Sequence, residues 1–224
     1  MRTCKSLSPS LFVRGVDRFR LLSKGWSLKV LSLMVVLMVG MNGVKAQIYV
    51  NQFTGASACP TNGNTPTMAA NSTGVSLTRS TITCTSLSNF FNSNTLNITS
   101  SISNTSYIEF SATANSGFIL NLTSISFFRQ GSNSAPNQME VRYSTDGFTT
   151  STTWGSAPVT PTTGTTATWD FTDFSTATGG TVTFRIYPYG TTRCDLAANA
   201  LATGTFRVDD VTINGTVTSS ATLY

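Results

Sequence analysis

The chain has no histidine. That removes Ser–His–Asp and Cys–His nucleophile machinery, imidazole metal ligands and the commonest general base. Charge is scarce, at 10% of 224 residues, and no lysine follows Lys45. No hydrophobic run is long enough for a comfortable membrane span of about 20 residues; the longest lies between Val30 and Met41. Cysteines number four, at Cys4, Cys59, Cys84 and Cys194. Three spaced cysteines in the body of the chain, without any histidine, make a poor zinc site.

The charge that is present is unevenly placed. Eight of the fourteen cations and one acid, Asp17, fall in the first 46 residues. A basic stretch leads into the apolar run, followed by Asn42 and Gly43 and by small residues at Val44 and Ala46. This pattern reads as a secretory signal peptide over 1–46, cleaved between Ala46 and Gln47, with no membrane span left after processing. The expected product, 47–224, is a secreted or surface protein. Its six arginines and eight acids give a net charge of −2, against +5 for the whole chain. No basic stripe remains for a nucleic-acid backbone, so that class of partner is disfavoured.

The 178 residues after the leader suffice for one domain with a core. They are rich in Thr, Ser, Asn and Gly, with regular β-branched and aromatic residues, which argues for β-structure and against disorder. Export suits disulfides, and three cysteines allow three pairings. Cys59–Cys84 is the favoured one, stabilising an otherwise loose loop by roughly 3 kcal/mol; Cys194 is then free or pairs with another chain.

Period-two patterns recur from Gln47 onward, and helical periodicity never lasts. Strands are expected around Ile48–Val50, Val75–Thr85, Tyr107–Ala114, Phe118–Arg129, Gln138–Ser144, Thr166–Phe171, Thr181–Tyr187 and Thr205–Thr218. Phe90 and Phe91 are expected to tuck inward. In the fourth strand the apolar phase runs 118, 120, 122 and then 125, 127, which places a bulge near Thr123 and Ser124. Thr145-Asp146-Gly147 signals a hairpin, and Pro188 ends its strand or marks an edge. About eight strands with no helix give an all-β, two-sheet β-sandwich with jelly-roll-like connections.

The last strand carries Asp209 and Asp210 between Val208 and Val211. A plain strand would send those valines to opposite faces; one extra residue at the two acids restores the phase. Carboxylates on such a kink suit Ca²⁺, which takes six to eight oxygens. The candidate ligands of a structural Ca²⁺ are Asp209, Asp210 and Glu109. The alternative is that one Asp pairs with an arginine and the other meets solvent. Glu109 and Glu140, the only glutamates after the leader, are the pair that a carboxylate-based glycan hydrolase would need.

Tyr187 and Tyr189 flank Pro188 beyond Arg185. Aromatic rings stack on sugar rings, and Arg142, Arg185, Tyr187 and Tyr189 are the candidate glycan-binding residues. Trp154 is a further aromatic in a loop. Tyr143 to Trp154 is reminiscent of an Asp-box, but Gly147 directly follows Asp146 and breaks that spacing, so a hairpin turn accounts for it better.

YIEFSATANSGFILNLTSISFFRQGSNSAPNQMEVRYSTDGF, followed by TFRIYPYG and GTFRVDDVTINGTV, resembles a group of poorly characterised secreted β-sandwich proteins of Bacteroidota and of bacteria with PEP-CTERM-type sorting signals. The shared pattern covers roughly residues 74–218. The resemblance implies an extracellular jelly-roll-like domain and carries no catalytic residue. This sequence stops at Tyr224, and surface attachment through a C-terminal sorting segment is not expected. The expectation is an exported, non-catalytic module binding an extracellular glycan or surface protein, or serving adhesion. The alternatives are a structural matrix or surface-layer subunit and the glycan hydrolase.

Overall fold

The computed structural model describes residues 46–56, 64–155 and 160–220, all within the unit Lys45–Tyr224. Twelve strands build two antiparallel sheets, without a helix among the described residues. The strands are β1 (Gln47–Asn51), β2 (Thr67–Met68), β3 (Ser72–Arg79), β4 (Thr83–Cys84), β5 (Phe91–Asn94), β6 (Ile108–Ala114), β7 (Phe118–Gly131), β8 (Pro136–Ser144), β9 (Thr152–Thr153), β10 (Thr165–Ser175), β11 (Thr181–Arg193) and β12 (Phe206–Ser219). The seven-stranded sheet runs β10-β7-β12-β1-β2, with β5 also on β12 and β4 on β5; the five-stranded sheet runs β3-β6-β11-β8-β9. From β6 to β12 the long strands alternate between sheets, so partners within a sheet are distant in sequence, as jelly-roll connections require.

The sandwich is as expected, but it has twelve strands where about eight were read. The extra ones, β2, β4, β5 and β9, are two to four residues long. Such pieces are too short to show alternation and are defined only by the neighbour they pair with. The expected strand Val75–Thr85 is divided: β3 starts earlier and ends at Arg79, and β4 belongs to the other sheet. Pro188 does not end β11, which continues to Arg193. β6 pairs with β11 only as far as Ile186, opposite Ile108. Pro188 pairs with Met139 of β8, and its missing N–H falls where β6 has already stopped.

Both expected bulges are present. Between Asp209 and Thr212, β12 advances three residues while β7 advances two, and Asp210 takes a left-handed φ of 49°. Between Asn214 and Gly215, β12 advances one residue while β7 passes from Ser124 to Leu122, leaving Thr123 as the extra residue. Each slip restores inward phase. Leu120, Leu122, Ile125 and Phe127 are fully buried, as are Val208, Val211 and Ile213. Gly215 is required opposite the second bulge: a Cβ there would lie 2.0 Å from the Asn121 carbonyl oxygen.

Rings fill the space between the sheets. Phe110 of β6 stacks on Phe184 of β11 at 5.5 Å and meets Tyr49 of β1 at 5.6 Å. The Tyr49 hydroxyl donates to the Val75 carbonyl at 3.1 Å, and burial pushes its ionisation up. Arg79, at the end of β3, crosses to the other sheet. Its Nε donates to Ser93 Oγ and its Nη2 to the Asn92 carbonyl, both at 2.9 Å, with the guanidinium 3.5 Å over the Phe91 ring. Burial lowers its pKa to about 10. Phe91 is buried as expected, whereas Phe90 is half-buried and packs on Phe128 at 5.5 Å. Cys59 lies outside the described residues, so the proposed Cys59–Cys84 pairing does too. Cys194 is a free thiol, half-buried and donating to the Pro136 carbonyl at 3.3 Å.

Phe184 is fully buried at the centre of this stack. Phe184→Ala is expected to cost about 3–5 kcal/mol, read as a large drop in the denaturation midpoint with an unchanged far-ultraviolet β-spectrum below it.

Candidate functional site

Alternation in β11 sends Val182, Phe184 and Ile186 into the core, all fully buried. It therefore sends Arg185, Tyr187 and Tyr189 to the outer face of the five-stranded sheet. In register, Arg185 stands opposite Glu109 of β6 and opposite Arg142 of β8. Tyr187 stands opposite Glu140, and Tyr189 opposite Gln138. The four residues read from the sequence as glycan-binding thus share one face. Glu109 and Glu140 join them.

Arg185 is the best-defined group on this face. Its Nε donates to Glu109 Oε2 at 2.6 Å. One face of its guanidinium lies 4.2 Å from the Tyr107 ring centroid, and the Phe148 ring lies at 3.8 Å. Burial acts to lower its pKa; the Glu109 and Tyr187 hydrogen bonds and the Glu109 charge outweigh it, so the net shift is upward. Arg142 donates through Nε to Glu140 Oε1 at 2.5 Å and sits 5.9 Å over the Tyr187 ring. Tyr187 is only 2% exposed although it lies outside the sandwich core. Tyr107 meets it edge-on at 5.6 Å. Its ionisation is pushed up by burial, against the pull of Arg185 and Arg142. Tyr189 is half-buried and raised by burial and by the Glu140 charge.

Phe148 was not among the residues singled out from the sequence. It has a left-handed φ of 65°, next to Gly147 at 71°. That conformation is unfavourable for a bulky side chain and persists only where its surroundings impose it. Here Ser144 Oγ accepts from Phe148 N at 2.9 Å and donates to Asp146 Oδ1 at 2.7 Å. Asp146 in turn accepts from Thr150 N at 3.0 and 3.1 Å and from Thr150 Oγ1 at 2.6 Å. The expected hairpin exists, since β9 pairs with β8, but its loop spans 145–151 and the Asp146 network shapes it. The only signal in the sequence was the Asp-Gly-Phe turn itself.

The candidate Ca²⁺ ligands are not assembled. Glu109 belongs to the five-stranded sheet and is bound to Arg185, whereas Asp209 and Asp210 belong to the seven-stranded sheet. Asp209 Oδ1 accepts from Phe53 N at 2.9 Å and from Asp210 N at 2.8 Å. Backbone N–H groups aimed at a carboxylate complement a negative charge, and here both reach Oδ1. Asp209 is 8% exposed and ties the chain after β1 to β12, while Asp210 is exposed on the bulge. No group of three or more acidic or cysteine residues is placed to hold a metal among the described residues. Glu109 and Glu140 are each engaged by an arginine and separated by β11. Two strand spacings plus a two-residue offset put their Cα atoms roughly 12 Å apart. Trp154 stacks on Trp169 at 5.6 Å and packs against the core, away from the Arg185 group.

No family model matches the chain, and no curated protein matches it. Among solved structures it is similar to a family 11 carbohydrate-binding module from Clostridium thermocellum in complex with a β-1,3-1,4-mixed-linked tetrasaccharide. The likeness has a TM-score of 0.33 and 12% identity over 76% of this chain and 98% of that one. At that score it carries no argument about a site or a ligand.

Two outcomes test these assignments. Asp209→Ala leaves the buried Phe53 N–H without its acceptor, at about 1–3 kcal/mol, seen as a lower denaturation midpoint. Burial raises the Asp209 carboxyl above its ordinary 3.8, partly opposed by the Phe53 and Asp210 N–H groups. The folded state therefore holds this proton longer than the unfolded one, and the stability contribution falls as pH rises through the raised value. Asp209→Asn should flatten that slope and cost less than alanine. Asp146 behaves oppositely, held down to about 2 chiefly by Thr150 and then by Ser144. Its contribution is present above 3.8 and disappears as pH falls through about 2. The Thr150 amide resonance should titrate there, and an ordinary carboxylate midpoint would contradict the network.

Proposed function

We propose that the chain is an exported, non-catalytic β-sandwich that binds an extracellular glycan on the outer face of its five-stranded sheet, serving attachment or adhesion. The observation that carries this reading is the fixed Arg185 group: a guanidinium with Tyr107 and Phe148 at 4.2 and 3.8 Å and a 2.6 Å bond to Glu109. A pre-positioned planar donor beside rings is what a sugar site uses, because hydroxyls need directed hydrogen bonds and C–H faces need apolar contact. Its neighbours Tyr187, Tyr189 and Arg142 extend that surface. The composition before Gln47 supports export.

Two measurements test this. Terminal sequencing of protein recovered from the medium should begin at Gln47. The full protein on a polysaccharide array should show saturable binding that survives chelation and drops at least about tenfold on Arg185→Ala, one directed charged hydrogen-bonding group being worth about 1.5–3 kcal/mol. Concentration-dependent assembly without sugar binding would replace this reading by that of a structural subunit. Release of reducing ends, lost on Glu109→Gln or Glu140→Gln, would replace it by the hydrolase.

A further inference from the structure

Arg185 and Arg142 are direct cross-strand partners in the register of β11 and β8. Like charges placed directly opposite one another destabilise a sheet. Here each cation has its own carboxylate, but neither carboxylate lies between them. Glu109 is across the sheet on β6, on the far side of Arg185, and Glu140 is two residues along β8 from Arg142. Both glutamates are reached through Nε. A guanidinium has five N–H donors, so most of each fork remains unengaged by its glutamate. Arg185 also has rings close to its plane at Tyr107 and Phe148. Glu109 takes its Nε side, the Tyr187 hydroxyl takes one further N–H, and the two rings flank it; what it can offer a ligand is the rest of the Nη edge. The side chains of Arg142 and Arg185 keep 30% and 20% of their exposure.

Resting on the glycan reading above, we infer that this face selects an acidic polysaccharide, with a sugar carboxylate seated between the Nη edges of Arg142 and Arg185. The planar fork of guanidinium matches a carboxylate with two parallel hydrogen bonds, which a neutral hydroxyl does not exploit. The anion also relieves the repulsion between the two cations. General attraction does not explain such binding, because residues 47–224 carry a net charge of −2 and a polyanion is repelled at long range. The contact must therefore be local, and the rings of Tyr107 and Phe148 beside Arg185 and of Tyr187 near Arg142 border it.

The test compares polygalacturonic acid, its methyl ester and a neutral β-glucan as probes for the full protein. The ester differs from the acid only at the carboxylate. The acid is expected to bind about tenfold or more tightly than its ester, with the advantage shrinking at high salt. Arg142→Gln and Arg185→Gln should each abolish the preference, while Arg185→Lys, which keeps the charge and loses the fork, should retain only part of it. Melting curves of the variants report folding, and the acid–ester comparison on the unaltered protein does not depend on them. Equal binding of acid and ester, or binding of the neutral glucan alone, overturns the carboxylate seat and leaves the glycan reading standing. No binding to any polysaccharide on the array or among these probes overturns both.

Discussion

Each long strand must keep its apolar side chains on one face, and the rest of this molecule follows from that. A strand has a side-chain period of two, so a single unmatched residue would turn the remainder of its core outward. β7 and β12 carry their apolar residues out of simple phase, and Thr123 and Asp210 absorb the difference as bulges. The sites of absorption also perform local work. Asp210 takes the left-handed turn, and Asp209 beside it accepts the Phe53 N–H. The pair of acids in the last strand therefore serves the closure of the sandwich at the end of β1.

The same period creates the outer face. Because Phe184 and Ile186 point inward, Arg185 and Tyr187 point outward, and the partner strands deliver Glu109, Arg142 and Glu140 beside them. Charge is scarce in this chain, yet two ion pairs lie side by side on this sheet. Partly exposed pairs contribute little to stability. Their concentration around Tyr187 is better understood as positioning, since it fixes two guanidinium groups whose own flexibility would otherwise weaken any contact they made. The loop holding Phe148 belongs to the same arrangement: a network anchored on Asp146 maintains a strained backbone that lays the ring beside Arg185.

Much of this was legible in the amino-acid order. Alternation within 138–144 separates Arg142 and Glu140 from Met139 and Val141 in the sequence alone, Arg185, Tyr187 and Tyr189 stood out as an arginine and aromatics close together, and the spacing of Val208 and Val211 required a bulge. Other features had no local signature. The two-residue strands β2, β4 and β9 exist through their partners. Pro188 reads as a stop, yet β6 begins only at Ile108, opposite Ile186, so the strand passes Pro188 where β6 does not reach. Glu109 was grouped with Asp209 and Asp210 as acids, and the topology assigns them to different sheets.

By itself, the sequence determined the fold class, the inward and outward faces of the main strands and the two places where phase slips, because these depend on residues one to four apart. Tertiary structure alone decided which outward residues meet. Arg185 finds Glu109 76 positions earlier and Arg142 43 positions earlier through strand pairing, and pairing between distant strands is set by how the two sheets bury their common core, a property of the whole chain that no short stretch encodes.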